Sequence, residues 1–247
     1  NDSKPKVLIA DDRRLEAFAQ LQEKYPDITV VSVREANSPV DAIDFHAAKI
    51  DGAQLSERDI DPDSVACIFY TSGTTGRPKG AQLTNRGCVT NVLNVVAMGR
   101  TYATAAALSK ADSASDVDVQ SPPAATSLIA TPLFHVTANN CLLQPCTLIG
   151  GTIVFMYKWD AEKALELISR EKVTNFVGVP TQSWDLVNHP RFSDFDMSSM
   201  KAIGGGGAPA PAALVDKVAK SFKGGGPQLG YGMTSQVVTY LKSIATC

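Results

Sequence analysis

Residues 65–80 read "VACIFYTSGTTGRPKG". The opening is apolar and β-prone, which predicts a strand over residues 65–71. Residues 70–80 are of another kind, with three glycines, a proline, two cations, and hydroxyls on Thr71, Ser72, Thr74 and Thr75. Gly73, Gly76 and Gly80 lack Cβ and tolerate positive φ, so successive backbone N–H groups can turn inward together. The hydroxyls add donors, Arg77 and Lys79 add positive charge, and Pro78 stiffens the exit. A loop built this way suits a polyphosphate. It is not a Walker A loop, because Lys79 is followed by Gly80 and only two residues separate it from Gly76. It is not a G-x-G-x-x-G turn either. A plain mobile turn would not need this concentration of donors.

Outward from that loop, strand and helix patterns alternate. "KVLIAD" (6–11), "RRLEAFAQLQEKY" (13–25) and "ITVVSV" (28–33) make a minimal βαβ unit. Residues 34–64 are polar and turn-rich, which sets a first segment of 1–64, unit plus linker, against a core of 65–247. Thr84 is a candidate N-cap for a helix through about Met98. Residues 101–126 lack periodicity and read as a mobile surface loop or a ragged helix end. Next come "SLIATP", a helical "NNCLLQPCTLIG" disturbed by Pro145, "GTIVFM", a helix from Asp160, "TNFVGVP" and a short helix from Thr181. "MKAIGGGG", a helix beginning at the Ala208–Pro209 step, and "PQLGYGMT" complete the series. Such alternation with short connections predicts an α/β fold of mostly parallel sheets flanked by helices. Ligands of such sheets bind beyond the strand carboxyl ends. Loops 71–80, 204–209 and 232–236 all follow strands, which places them on one rim.

Composition narrows the classes. The chain has 247 residues, 44% apolar and 19% charged, enough to build a substantial core. A net charge of -2 with no basic block argues against nucleic acid as a partner. No apolar run approaches the roughly 20 residues of a membrane span, and no stretch reads as a secretory signal. Five cysteines without a CxxC pair fit reduced thiols in a cytoplasmic setting, with peripheral membrane association left open. The start at Asn1, almost inside a strand, and the end at "SIATC" without a closing element predict a fragment of a longer protein.

The remaining loops carry further candidates. The four glycines 204–207 bring an entropic cost that close approach of a flat ligand would justify, a tight strand-to-helix turn being the alternative. In "GYGMTS" (230–235), Tyr231 stands between two glycines, open to stack on a base, or else serves as a core aromatic. "TPLFHV" (131–136) sets Phe134 and His135 just past a strand, His135 being structural or substrate-facing. Val179 and Trp184 offer an apolar wall, though Trp184 fits plain core equally well.

Taken together, "YTSGTTGRPKG", "PLFHV", "GGGGAP" and "GYGMT" resemble, in order and rough spacing, the adenylate-forming enzymes: acyl-CoA synthetases, luciferases and the adenylation domains of peptide synthetases. The resemblance runs through nearly the whole chain and is nearest in style to fatty-acid and related acyl-CoA ligases. It implies the large N-terminal domain of that fold. It also implies a small-molecule carboxylate that attacks ATP to give acyl-AMP and is passed to coenzyme A, with Mg²⁺ assisting. By position, Thr71, Ser72, Gly73, Thr74, Thr75, Gly76 and Lys79 would grip the β and γ phosphates, with Thr75 also near the metal. Gly206, Gly207, Ala208 and Pro209 would line one face of adenine and Tyr231 the other, within a segment of Gly230, Gly232 and Met233. Thr234 would contact the α-phosphate. His135 would sit where the acyl pocket, with Phe134, Val179 and Trp184, meets the nucleotide.

Two departures qualify this. Ser235 stands where the family usually carries a metal-holding carboxylate, and a hydroxyl ligates magnesium weakly. The ribose aspartate, the hinge and the small C-terminal domain with its catalytic lysine have no counterpart in these residues. The expectation is weak nucleotide binding and little or no ligase turnover by this chain alone. The alternative is a non-catalytic, truncated nucleotide- or acyl-binding paralogue.

Overall fold

The alternating apolar runs fold into two kinds of sheet. The computed structural model describes residues 3–33, 38–54, 56–72, 76–109, 125–222, 226–234 and 236–243. They divide into two units, Asn1–Ile60 and Asp61–Cys247. In the first, β1 (Val7–Ala10) and β2 (Thr29–Ser32) pair in parallel through the crossover helix α1 (Asp12–Ala19). A third strand, β3 (Ile43–Asp44), joins β2 in parallel from within the segment that sequence reads as polar linker. Leu15 of α1 is fully buried against Ala10, Val30 and Val40.

In the second unit, β4 (Val65–Thr71) and β5 (Lys79–Thr84) form an antiparallel two-stranded ribbon. This corrects the expectation that the 71–80 loop hangs from the parallel sheet. It is instead the tip of a hairpin, with Thr71 opposite Lys79. One hydrogen-bonding edge of "VACIFYT" is met by "KGAQLT", its neighbour in sequence, and not by a strand of the parallel sheet. β5 runs directly into α2 (Asn85–Leu108), where the Thr84 hydroxyl accepts from the Gly87 N–H at 3.1 Å. The helix is ten residues longer than the expected stop at Met98. Gly99 does not end it because the alanine-rich turns beyond favour helix strongly. None of the described helices is long and apolar enough to cross a membrane.

The main sheet contains β6 (Thr126–Ile129), β7 (Thr152–Phe155), β8 (Asn175–Gly178), β9 (Ala202–Gly205), β10 (Gly226–Met233) and β11 (Gln236–Ser243). Its order is β11-β10-β9-β8-β6-β7, parallel except for the β10–β11 pair. β11, which the sequence reading did not assign, follows β10 antiparallel at the sheet edge. Neighbouring residues on a strand face opposite ways. Leu128 and Phe176 therefore bury against α5 (Ala161–Glu171), α6 (Pro180–Asn188) and α7 (Ala212–Ser221), while Ile129 and Val177 pack against Ala138 and Leu142 on the other face. α5 begins where the Asp160 carboxylate accepts from the Lys163 N–H at 2.9 Å. α7 begins at Ala212 and not at the Ala208–Pro209 step, because Pro209 and Pro211 hold the chain extended until then.

From β6 the chain moves outward to β7, crosses back to β8, and then proceeds the other way to β9 and β10. The order therefore reverses between β6 and β8, where a parallel sheet opens a crevice at its carboxyl edge.

Two measurements test this packing. Phe176 is fully buried and its ring stacks on Trp159, with centroids 5.8 Å apart. Phe176→Ala is expected to cost about 3–5 kcal/mol in urea unfolding, and a loss well under that range would show that the site collapses around the gap. The Lys172 ammonium, 2.7 Å away, together with the Ser198 hydroxyl and N–H, holds the Asp196 carboxyl far below its ordinary value. A depressed folded value stabilises the fold above the ordinary carboxylate range and loses that contribution as pH falls. Asp196→Asn should therefore melt below the wild type at neutral pH, with the gap closing as pH drops below about 4. A gap independent of pH would refute the ion pair's role.

Candidate functional site

At that crevice lies a cavity of about 320 Å³, within the size range of small-molecule sites. The segment after β6 contributes His135, Val136 and Thr137, and β8 contributes Val177. The end of β9 brings Gly205, Gly206 and Gly207. β10 brings Gln228 and the run from Gly230 to Thr234. Val95 of α2 and Cys141 complete the wall. No Asp, Glu, Lys or Arg is among the described residues that line it.

The glycine run has its own structural reasons, close strand packing together with the tight turn that is the alternative to a ligand. A Cβ on Gly204 would overlap the Gln228 carbonyl, and one on Gly205 would overlap the Gly178 carbonyl. A Cβ on Gly206 would lie 2.8 Å from the Gly230 oxygen, closer than real side chains approach. Gly207 has φ +80°, in the left-handed region. Close strand packing therefore requires the first glycines and the turn requires the last. The consequence is a cavity edge made of bare backbone. The Gly206 N–H is already used, donating to the Gly178 carbonyl at 3.2 Å.

His135 caps the segment that follows β6. Its Nδ1 accepts from the Thr137 N–H at 3.1 Å. In the neutral ring the proton must then sit on Nε2, and His135 is one of the residues that line the cavity. Beyond it run a one-turn helix α3 (Val136–Ala138), a widened π-turn (Asn139–Leu143) and α4 (Gln144–Leu148). The widening answers Pro145. A proline in regular helix clashes with the carbonyl four residues back and donates nothing, and here the Gln144 N–H reaches back five residues, to Asn139 O. In that register Pro145 would serve Asn140 O and cannot. The side-chain amide of Asn91, from α2, donates to Asn140 O instead, at 2.8 Å. Asn91 and Asn140 are both fully buried.

Of the candidates from sequence, the cavity collects His135, Gly206, Gly207, Gly230, Tyr231, Gly232, Met233 and Thr234. Phe134, Val179, Trp184, Ala208 and Pro209 do not line it. Phe134 is 71% exposed, and the Val179 N–H is taken by the Gln182 side-chain oxygen at 3.0 Å. Thr71, Ser72, Gly76 and Lys79 belong to the hairpin and are not lining residues either. Gly73, Thr74, Thr75 and Ser235 lie outside the described residues. Among the described residues, no group of three or more His, Cys, Asp or Glu side chains could hold a metal. Sequence reading missed Val95, Val136, Thr137, Cys141, Val177, Gly205 and Gln228. Gln228 was legible, two residues before Gly230 on one strand face. Val95 carried no local signal.

The glycine argument predicts an order of damage. Gly207→Ala should cost about 1–2 kcal/mol for its left-handed backbone. Gly205→Ala, which has no room at all, should cost more. Equal urea midpoints for the two variants would contradict the close-approach explanation.

Comparison with known proteins bears on what the cavity serves. Feruloyl-CoA synthase of an Amycolatopsis species is 37% identical over 172 residues, covering 70% of this chain and 30% of that protein. 4-Coumarate–CoA ligase 2 of Nicotiana tabacum is 34% identical over 185 residues, covering 73% of this chain and 30% of the ligase. ATP-bound MatB of Rhodopseudomonas palustris superposes with a TM-score of 0.75 at 25% identity, covering 98% of this chain and 43% of that one. The chain thus spans about a third of the length of the curated relatives it matches. The family model described as AMP-binding enzyme matches residues 1–242, nearly end to end, and the chain belongs to that family.

Proposed function

We propose that the chain is the nucleotide- and acyl-binding part of an ATP-dependent acid–thiol ligase, one that activates a small carboxylic acid as its acyl adenylate and passes it to coenzyme A. Residues 65–247 are the part that carries this role. The observation that supports it most is one cavity at the carboxyl ends of β6, β8, β9 and β10 that brings His135 together with Gly206, Gly207 and the run Gly230–Thr234. A bare-backbone edge facing an exposed Tyr231 ring suits a flat base. The Nε2–H of His135 is a neutral donor for a carboxylate oxygen. Val95, Val136 and Val177 make the floor apolar, as an aryl or acyl tail requires. The relatives named for feruloyl and 4-coumarate groups favour a hydroxycinnamate-like acid over a fatty acid.

In this reading the residues position and neutralise, and none serves as a covalent nucleophile. The hairpin loop with Ser72, Gly76 and Lys79 meets the phosphate tail, with Gly73, Thr74 and Thr75 completing it. Thr234 faces the α-phosphate. Mg²⁺ would be held chiefly by the nucleotide's phosphates, with Thr75 and Ser235 as the chain's own candidate ligands. A second reading, a binding module without turnover, is favoured by the lack of charged groups among the described lining residues.

Calorimetric titration with ATP and AMP, alongside pyrophosphate exchange with ferulate, separates these readings. The ligase reading expects AMP binding that Tyr231→Ala weakens roughly tenfold, through loss of one base-stacking contact, with little or no exchange by these 247 residues alone and exchange that His135→Ala lowers when they are part of a full-length ligase. Binding with no exchange even in the full-length protein selects the module. Failure of both nucleotides to bind, or indifference to Tyr231→Ala, removes the proposed site.

A further inference from the structure

We propose that Asn91 is a positioning residue for the cavity. Its side-chain amide supplies the hydrogen bond that Pro145 cannot, ties the π-turn to α2, and so sets the span between Val95 and Cys141. The argument starts from the missing donor. With the turn in five-residue register, as Gln144 N–H to Asn139 O shows, the next donor in line is residue 145, a proline. A buried carbonyl left without a partner is disfavoured, and Asn91 reaches Asn140 O across the helix interface at 2.8 Å. The partners are fully buried, so water has no access to replace the bond.

The tie falls between the two walls. Val95 is one turn beyond Asn91 on the same face of α2, and Cys141 directly follows Asn140. Val95 and Cys141 both line the cavity. The Asn140 amide extends the seam, donating to the Gln144 side-chain oxygen at 3.2 Å and to Cys88 Sγ at 3.5 Å. A change in the tie therefore moves one wall relative to the other. If the cavity holds the acid's tail, a point that rests on the proposed function, Asn91 governs which tail fits without touching it.

The test uses the whole chain and reads cavity width in two ways. The first assumes no substrate: the rates at which iodoacetamide and a bulky fluorescein maleimide alkylate Cys141, followed by peptide mass spectrometry. The second is the ratio of dissociation constants for ferulate and decanoate in the presence of ATP. Asn91→Leu keeps the volume and removes the donor. It should lower the melting temperature and shift the alkylation ratio, with the acid ratio moving by roughly tenfold, the scale of a small change in pocket dimensions. Asn91→Leu combined with Pro145→Ala returns a backbone N–H to the turn. It should regain most of the melting temperature while both ratios stay shifted, because the tie to α2 is still missing. This double variant also carries the test if Asn91→Leu alone does not fold. Leu186→Ala, buried elsewhere in the core, should lower the melting temperature with both ratios unchanged. An alkylation ratio in Asn91→Leu equal to wild type would overturn the proposal, as would no thermal recovery from Pro145→Ala. Failure of both acids to bind the wild type would instead overturn the substrate reading, and the alkylation ratios would still decide the role of Asn91.

Discussion

The site depends on how closely β8, β9 and β10 approach one another at their carboxyl ends. At Gly204 and Gly205 there is no space for a methyl group between one backbone and the next strand's carbonyl. This contact brings the ends of the strands to a common rim and leaves main chain, not side chains, at the cavity edge. Glycine costs conformational entropy, about 0.5–1 kcal/mol each relative to alanine in regular structure. Here that cost is tied to packing first. The bare edge, which suits a flat ring, follows from it.

The opposite wall obeys a different constraint. Pro145 prevents an ordinary helix after β6, the turn widens, and a carbonyl is left without a donor inside the protein. Asn91 repairs this from another helix. The repair makes the position of the wall a property of α2 as much as of the segment that bears Cys141. Widened turns of this kind recur at functional sites, and here the cause is a single imino acid five residues after Asn140.

The hairpin of β4 and β5 carries the glycine- and hydroxyl-rich loop outside the main sheet. Its antiparallel pairing satisfies one edge of "VACIFYT" locally, and its second strand passes straight into α2, capped by Thr84. The same helix then supplies Asn91 and Val95. One continuous stretch from the glycine-rich loop through α2 thus contributes both the cationic loop and one side of the cavity.

By itself the sequence determined the α/β class, most strand and helix positions, and the loops that bear the family's motifs, because those rest on local periodicity, capping and glycine placement. It also pointed to His135 and Thr234 as residues past strands, and to Tyr231 near the end of one. Only the tertiary structure decided that residues 65–84 form a hairpin, that α2 passes through Gly99, and that Val95, Cys141 and Gln228 meet His135 at one cavity. Strand partners and helix–helix contacts are chosen between segments far apart in the chain, and local pattern carries no record of them. A buried asparagine such as Asn91 reads locally as an ordinary polar helix residue, and its role emerges only beside the carbonyl that Pro145 leaves unpaired.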